Sequence, residues 1–420
     1  MGLIVAWMDA QMPHRKPIAA IIGCGRTTFG EHWDKNFEEL LVEAGIKTFD
    51  SVDRGIERKQ IEACFFGGSL PQAISKVGLM EAYMSRELGL NVPMTHVGGG
   101  SASGSSALYD ACRHIEAGQN VVLVGGIEKM SDRVKKIQDD LMFDADRSEF
   151  YTGFTPPSLL ATMMNRYIFE YGDDKKAECR ESFARVACKN HHHAVNNEFA
   201  QFRRKLSLEM VLNSSLVADP LRALECSAVS DGAAALILSN PEIAHRYTDE
   251  PIYIVASEKT TDSIDLGSRR YMTGVPATEL AVKKALEAAG MMISEVQIAE
   301  VHDSYTPNEI FFLEDSGFTE RGKGWRIVNE TDLQSKSKHI PYINEEGDEL
   351  IVNAGGGLKA DGNPLGATGL RQACEIVHQL SNKAGRRQVE VDDLNVGLTH
   401  NLGGTGGICN VHIFVRDPYE

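Results

Sequence analysis

The sequence has 420 residues, of which 42% are apolar and 24% are charged, so we expect a soluble globular protein with two or three domains and a sizeable core. A net charge of -16 argues against a nucleic-acid partner, because phosphate binding requires a basic surface. No segment reaches the roughly 18 consecutive apolar residues of a membrane span, so we predict no membrane partner.

The eight cysteines are scattered, mostly in apolar segments, and none belongs to a C-x-x-C pair. This pattern is typical of reduced, buried thiols and predicts a cytoplasmic protein. Residues 1–16 form a poor secretory signal, and residues 417–420 are not a peroxisomal address. Both observations favour the same location.

The first third of the sequence alternates between predicted strands and helices. Residues 18–23 are a predicted strand that ends at Gly23-Cys24-Gly25, residues 61–66 are a second that ends at Gly67-Gly68, and residues 120–124 are a third. Residues 37–49 show an amphipathic helical pattern, and residues 77–88 predict another helix. Strands that alternate with helices favour a layered α/β domain.

A run of small residues at 98–107 lies between an extended segment, 92–97, and a helical pattern at 105–117. Such a loop exposes backbone N–H groups at the positive end of a helix dipole. It therefore suits a nucleophile or an anionic or thioester oxygen. It also fits a simple strand-to-helix turn whose torsions require glycine.

From about residue 132 to residue 209 the sequence becomes polar, aromatic and rich in methionine, with helical patterns at 157–171 and 178–197. We interpret this segment as an excursion from the first α/β half, with a helical lid or a packing arm as the alternative. The triplet 191–193 consists of three histidines. They cannot converge on one metal ion, because consecutive residues on a helix point about 100° apart. We predict no metal site.

The α/β character returns at a predicted turn, Asp231 and Gly232, followed by a buried strand at 233–238. The second half then repeats the first in outline. It contains predicted strands at 252–256, 298–301, 395–398 and 409–415, and predicted helices at 279–289, 307–315 and 367–380.

Five short motifs occur in order along the chain: Ser-Ala-Ser-Gly at 101–104, Gly-Gly-Ile-Glu-Lys-Met at 125–130, Val-His-Asp-Ser-Tyr at 301–305, a glycine-rich stretch at 353–369 that includes Gly-Asn-Pro, and Thr-His-Asn-Leu-Gly-Gly-Thr-Gly-Gly at 399–407. Their order and spacing resemble the thiolase superfamily, and within it the sterol-carrier-protein-type and archaeal-like branch. The resemblance extends from about Ala19 to Val415, which is nearly the whole chain.

The resemblance implies an α/β thiolase fold, in which two similar halves form a five-layered αβαβα core. The implied domains are 17–245, including a helical loop domain at about 132–209, and 246–420. It also implies coenzyme A as a substrate, with no covalently bound cofactor. The implied contacts for coenzyme A are basic residues of the loop domain and glycines of the reactive loops: Arg166, Lys175, Lys176, Arg203, Arg204, Lys205, Gly366 and Gly404.

Enzymes of the resembled family cleave or form a carbon–carbon bond next to a coenzyme A thioester. They use an acylated cysteine, the histidine of a G-H-P motif and a second cysteine. At the matching positions this sequence has Ser101, Asn363 and Ser304. A serine hydroxyl is a far weaker acid than a thiol and needs a base within hydrogen-bond reach. Asn363 cannot be that base, although it can donate to an oxyanion.

The titratable groups that remain in these loops are His302, Asp303, Tyr305, Lys359, Asp361 and His400. The candidate catalytic set is therefore Ser101, His302, Asn363, His400, Ser304 and Tyr305.

Three functions are compatible with this set. The first is a divergent thiolase that cleaves a β-ketoacyl-CoA with free CoA, or condenses two acyl-CoAs, with Ser101 or direct attack by CoA replacing the cysteine and His302 or His400 moving protons. The second is an aldolase-like lyase that cleaves a β-hydroxyacyl-CoA without an acyl-enzyme, with Tyr305 or His302 as the base. The third is a non-catalytic subunit that supports an active partner.

The resemblance also implies partners. Thiolases of this kind form homodimers through the central sheet. The archaeal-like branch often pairs with a small OB-fold protein that carries a zinc ribbon. This sequence has no zinc-ribbon cysteines, so such a partner would be a separate polypeptide. Degradation of aromatic compounds, as by benzoylsuccinyl-CoA thiolase, and of steroid side chains are two settings that fit.

Overall fold

The computed structural model describes residues 16–418 as alternating strands and helices. The strands are Ala19–Arg26 (β1), Ala63–Gly67 (β2), Met94–Val97 (β3), Val121–Lys129 (β4), Leu216–Ala218 (β5), Leu221–Arg222 (β6), Asp231–Ser239 (β7), Ile252–Thr261 (β8), Ile298–Glu300 (β9), Tyr342–Ile343 (β10), Glu349–Val352 (β11), Val396–Gly403 (β12) and Ile408–Val415 (β13). The α-helices are Phe37–Asp50 (α1), Met80–Leu88 (α2), Ser103–Glu116 (α3), Ile137–Leu141 (α4), Arg147–Tyr151 (α5), Pro156–Tyr171 (α6), Lys176–Ala194 (α7), Leu208–Leu212 (α8), Pro276–Ala289 (α9), Pro307–Asp315 (α10), Gly324–Glu330 (α11), Gly357–Asp361 (α12) and Leu365–Leu380 (α13).

The main sheet has eleven strands in the order β10-β11-β9-β12-β13-β8-β1-β7-β4-β2-β3. Its two sides repeat one pairing pattern. On one side β3, β2 and β4 are parallel and are followed by antiparallel β7 and β1. On the other side β11, β9 and β12 are parallel and are followed by antiparallel β13 and β8. The similarity between the two halves that the sequence predicts is therefore a repeat of strand order and direction.

The two sides join where Ala19–Ile21 of β1 pairs with Ile252–Ile254 of β8. Helices α3 and α13 pack against each other and against strands of both sides, while α1 and α9 cover the outer faces. Helices and strands thus form the alternating layers of the predicted αβαβα arrangement, with the two sheet layers hydrogen-bonded into one ladder.

Alternate residues of the strands supply the two apolar cores between these layers. Successive side chains of a strand point to opposite faces. In β7 the residues that face the central helices are Ala234, Leu236 and Leu238, and those that face the outer helix α1 are Ala233, Ala235 and Ile237. Strands buried on both faces need continuous apolar runs, which is why 233–238 could be predicted as a buried strand.

The predicted elements are confirmed in position, with differences at their ends. The pair Asp231 and Gly232, predicted as a turn, belongs to β7, because Asp231 pairs with Lys129 of β4. The chain between β4 and β7 carries α4 to α8 and the small β5–β6 sheet, so the predicted excursion continues to residue 230. The boundary between residues 245 and 246 stays a prediction.

Within residues 16–418, no helix combines the length and the apolar character that crossing a membrane requires. Residues 1–15 and 419–420, on which the predictions about targeting signals depend, lie outside the described part of the chain.

Candidate active site

Loops from both halves of the chain meet at one cavity of about 290 Å³. Ser101 reaches it from the turn before α3, and Asn363 from the turn between α12 and α13. His302, Ser304 and Tyr305 reach it from the loop after β9. Five of the six predicted catalytic residues therefore line the same cavity.

Ser101 lies in a single 3-10 turn, Gly100–Ala102, directly before α3. Its side chain is buried, and its Oγ donates a hydrogen bond to the carbonyl oxygen of Leu402, at 2.7 Å. Among the described residues, no imidazole, carboxylate or amine accepts the Ser101 proton. A serine without a base stays protonated, so this geometry does not activate the hydroxyl as a nucleophile.

His302 is buried in the cavity wall and has one side-chain partner, Asn401, whose Nδ2 lies 3.1 Å from His302 Nδ1. With the amide in this orientation Nδ2 donates, which leaves the ring proton of His302 on Nε2. Burial lowers the pKa of His302 to about 3, so the imidazole is neutral at physiological pH. It can donate a hydrogen bond from Nε2 but is a weak base.

His400 does not line the cavity, in contrast to the expectation from the sequence. Its Nδ1 faces the backbone N–H of His302, at 3.5 Å, and its Nε2 is 2.8 Å from Thr278 Oγ1. Its ring packs against Phe312, with 5.0 Å between ring centroids. Because both nitrogens have protein partners and the ring is buried, His400 supports the loop of His302 from behind.

Asn363 offers a fixed donor to the cavity. Its Oδ1 accepts from Thr368 Oγ1, at 3.0 Å, and its Nδ2 is 3.3 Å from Ser227 Oγ. Thr368 Oγ1 lies 3.0 Å from both Asn363 Oδ1 and the carbonyl oxygen of Pro364, and these two acceptors share its one hydroxyl proton. An amide nitrogen carries two protons, so one N–H remains for a ligand.

Tyr305 lies beside Cys226 in an isolated antiparallel bridge, and both residues line the cavity together with Ser304. Burial raises the pKa of the Tyr305 hydroxyl well above its usual value, so it stays protonated. The Cys226 thiol also lines the cavity, and burial raises its pKa to about 12. A thiol that is protonated at neutral pH is a poor nucleophile.

Asp144 is a cavity residue that the sequence analysis missed. It lies in the chain between α4 and α5, next to Met142, Phe143 and Ala145, in a segment without any motif or periodicity. Cys226 was noted only as one of eight scattered cysteines. No local signal marks either residue, because both reach the cavity through the tertiary arrangement of the excursion.

The residues predicted to contact coenzyme A lie in different surroundings. The arginines Arg166, Arg203 and Arg204 are exposed and do not line the cavity, and Arg166 forms an ion pair with Glu170 at 2.9 Å. Gly404 lines the cavity with a positive φ of 59°. Gly366 lies in the first turn of α13, where its N–H donates to Glu128 Oε2 at 3.2 Å.

The three adjacent histidines of α7 point to three different backbone carbonyl groups. His191 contacts Arg204, His192 contacts Ser337 and His193 contacts Asn353, at 2.7–3.0 Å. In the described part of the chain, no group of three or more His, Cys, Asp or Glu side chains is arranged to hold a metal ion.

Comparison with known families gives two matches that together cover most of the chain. The family model for the thiolase N-terminal domain matches residues 19–242, and the thiolase C-terminal domain-like model matches residues 258–416. The two models are separated by residues 243–257, which connect β7 to β8 and include the first part of β8, where the repeated topology of the sheet also changes sides.

Similar proteins agree with these matches. The chain is 40% identical to an acetyl-CoA acetyltransferase of Methanothermobacter thermautotrophicus, over 94% of this chain and 99% of that protein. It is 32% identical to sterol carrier protein 2 of Rattus norvegicus, over 95% of this chain and 72% of that protein. The solved structure of the Ltp2-ChsH2(DUF35) aldolase has the same fold, with a TM-score of 0.77, 23% identity and coverage of 95% and 98%. The chain therefore belongs to the thiolase superfamily, in its sterol-carrier-protein-type branch, as an enzyme of the thiolase acyltransferase type.

Proposed function

We propose that this enzyme cleaves, and in reverse forms, the bond between C2 and C3 of an acyl-CoA, and that the forward reaction is thiolysis of a 3-oxoacyl-CoA by free CoA. The observation that carries the proposal is the cavity of about 290 Å³ at which loops of both halves meet. Hydroxyl, imidazole and amide groups line it together with an apolar wall suited to an acyl chain: Met130, Ile137, Leu141, Leu159 and Leu160.

His302 and Asn363 are the proposed donors to the thioester oxygen. Cleavage of the C2–C3 bond leaves an enolate, whose negative charge develops on that oxygen and is stabilised by fixed N–H donors. Asn363 Nδ2 has a spare N–H beyond its contact with Ser227, and the neutral His302 ring carries its proton on Nε2. We therefore assign His302 as a donor rather than as a base.

Ser101 is proposed to remain unacylated, so that the CoA sulfur attacks C3 directly. Its hydroxyl proton is held by the Leu402 carbonyl oxygen and has no stronger acceptor among the described residues. In this role Ser101 contributes a small side chain at the start of α3, which leaves room for the thioester near the backbone.

The same observation on Ser101 favours a second function, retro-aldol cleavage of a 3-hydroxyacyl-CoA. That reaction forms no acyl-enzyme and needs only a proton acceptor for the 3-hydroxyl and donors for the enolate oxygen. It releases an aldehyde or ketone together with a shortened acyl-CoA.

A mass-spectrometric product assay separates the two functions. The purified protein, with any co-purified partner, is offered a panel of 3-oxo- and 3-hydroxyacyl-CoAs, each with and without free CoA. Thiolysis predicts cleavage of a 3-oxoacyl-CoA only when CoA is added. Retro-aldol cleavage predicts product from a 3-hydroxyacyl-CoA without CoA. If no combination yields product, and Ser101→Cys also yields none, both functions are refuted.

Ser101→Ala tests the direct attack. We expect turnover to remain within about tenfold of the unmodified enzyme, because the hydroxyl forms no bond to substrate. A loss of roughly a thousandfold, together with an acyl mass on intact Ser101 protein, would instead establish an acyl-enzyme.

CoA, an acyl-CoA, a second copy of this chain and a small accessory subunit are the proposed partners. The Ltp2-ChsH2(DUF35) aldolase supports the accessory subunit. Exposed aromatic side chains of the excursion offer it a surface: Phe143, Tyr151 and Phe169. Arg166, Arg203 and Arg204 stay proposed contacts for the phosphates of CoA. A cytoplasmic location is supported by the eight cysteines, all of which are free.

A further inference from the structure

The carboxylate of Asp144 lies against the start of α3. Its Oδ2 accepts from Ser69 Oγ, at 3.3 Å, and the carboxylate also accepts from the backbone N–H of Ser101. A Cβ built on Gly100 would be only 2.5 Å from Asp144 Oδ2. The carboxylate therefore occupies the space directly beside the turn that carries Ser101.

Asp144 also touches the second reactive loop and a second cavity. A Cβ built on Gly404 would be 2.3 Å from the carbonyl oxygen of Asp144. Both residues line the main cavity and a smaller one of about 180 Å³, which Asp262 also lines. A carboxylate that borders two cavities can take a proton on one side and exchange it on the other.

The surroundings of Asp144 make it a stronger base than an exposed aspartate. Burial raises its pKa to about 6, against the opposing effect of the two donors, Ser69 and Ser101. Glu128 of β4 is close enough for the charge of Asp144 to raise its pKa, and Asp262, which interacts with the guanidinium of Arg269, lines the smaller cavity. The pKa of the buried Glu128 is itself raised to about 7, although three backbone N–H groups donate to it.

We propose that Asp144 is the catalytic proton acceptor of this site, the group that takes the proton from whatever attacks or is attached to C3 of the substrate. The inference rests on the proposed function, which requires such an acceptor. It fills the role that neither the neutral His302 nor the protonated Tyr305 can perform at neutral pH.

The proton balance is the same for both candidate reactions. In thiolysis Asp144 removes the thiol proton of CoA, the sulfur attacks C3, and collapse of the resulting alkoxide breaks the C2–C3 bond. In retro-aldol cleavage it removes the 3-hydroxyl proton, the oxygen electron pair forms the C3=O bond, and the same C2–C3 bond breaks. In each case the electron pair of that bond forms the enolate of the departing acyl-CoA. The proton held by Asp144 then returns to C2, which regenerates the carboxylate.

The substitution Asp144→Asn removes the basic carboxylate of Asp144 and keeps the contacts that its side chain makes with the surrounding loops. The amide oxygen of asparagine can still accept from Ser69 and from the backbone of Ser101, so the loop contacts remain while the basic group is lost. Asp139→Asn is the matched control, because Asp139 lies in the same segment, is exposed, and does not line the cavity.

The experiment compares kcat/KM of the full-length enzyme, Asp144→Asn and Asp139→Asn across pH 5–8, with thermal unfolding recorded for each. We expect Asp144→Asn to lose roughly 10²–10⁴-fold in kcat/KM at an unchanged unfolding temperature, and Asp139→Asn to stay within about threefold. We also expect an acid limb near pH 6 in the unmodified enzyme that is absent from Asp144→Asn.

Three results overturn the inference. Turnover of Asp144→Asn within about threefold of the unmodified enzyme reduces Asp144 to a structural residue. An acid limb that persists in Asp144→Asn assigns the titration to another group, with Glu128 the first to test. If the unmodified enzyme gives no product with any substrate, the proposed function fails and the inference fails with it.

Discussion

Asn363 is the residue at which the site departs furthest from a histidine-based mechanism, because an amide donates without exchanging a proton. We expect Asn363→Ala to lower kcat by roughly 10²–10³-fold, with a smaller effect on KM, since the lost N–H acts on charge that develops in the transition state. Steady-state kinetics with the substrate identified by the product assay measures both constants.

The fold should tolerate this substitution. Thr368 Oγ1, which loses its bond to Asn363 Oδ1, still donates to the carbonyl of Pro364 at 3.0 Å. Ser227→Ala is the control, because it removes the protein partner of Nδ2 and leaves the amide in place. Equal rates for Asn363→Ala and the unmodified enzyme would remove Asn363 from the mechanism.

At the scale of elements, the close contact of α3 with α13 holds the two reactive loops together. A Cβ on Gly104 of α3 would be 2.4 Å from the backbone carbonyl oxygen of Gly366 in α13. A backbone atom cannot move aside as a flexible side chain can, so the helices would have to separate. Gly366 therefore has a packing role in addition to its predicted role near coenzyme A.

Gly104→Ala should accordingly destabilise the protein and disturb the site. Overpacking costs about 1–3 kcal/mol, which exceeds the gain of up to about 1 kcal/mol in helix propensity. We expect a lower urea midpoint. We also expect a loss of turnover, because separation of the two helices would move the loops of Ser101 and Asn363 apart. The comparison is Gly78→Ala, where no atom lies within 4 Å of the added Cβ. An unchanged midpoint for Gly104→Ala would show that the helices yield at no cost.

Strand β4 shows what local sequence can and cannot predict. The segment 120–124, with apolar residues at 121–124, predicts a strand, but the strand continues to Lys129 through Gly125 and Gly126. Glycine weakens a strand by propensity, and the extension depends on partners: Phe66 packs over Gly125, and Lys129 forms a buried ion pair with Asp231 at 2.9 Å. Such contacts link distant parts of the chain and leave no local pattern.

The candidate site also contains residues that the sequence could predict and residues that it could not. Ser101, His302, Ser304, Tyr305 and Asn363 were placed together from the order of motifs, which reflects the resemblance to a family, and they line one cavity. Asp144 could not be found in this manner, because it lies in a segment without a motif. His400 was found by its motif, but both of its ring nitrogens face polar partners within the protein, Thr278 and the backbone of His302.

At the scale of the whole molecule, buried titratable groups determine the response to acid. Burial lowers the pKa of His302, His400 and His412 to about 3, from about 6.5 in the unfolded chain. The unfolded chain thus binds these protons first, so stability is lost as pH falls from 6.5 to 3. Glu128 and Glu314, with pKa values raised to about 7, act in the opposite sense as pH falls from 7 to 4.5.

The glutamates oppose the histidines above pH 4.5, and below pH 4.5 these glutamates no longer contribute while the histidines still do. We therefore expect the urea midpoint to change little between pH 7 and pH 5 and to fall steeply below pH 4. Equilibrium unfolding at pH 7, 5, 4 and 3.5 provides the measurement. A urea midpoint that stays level or rises below pH 4 would contradict the assignment of neutral, buried histidines.

The join between β1 and β8 has a consequence for biosynthesis. The middle of the sheet runs β13-β8-β1-β7, so the first and the last strands of the described chain are both central ones. While the chain is being made, β1 lacks its partner β8 until residues 252–261 leave the ribosome, and the far side of β8 then stays an open edge until residues 408–415 follow. Through most of translation the nascent protein thus carries an unpaired strand edge in its interior, the kind of surface that chaperones exist to cover.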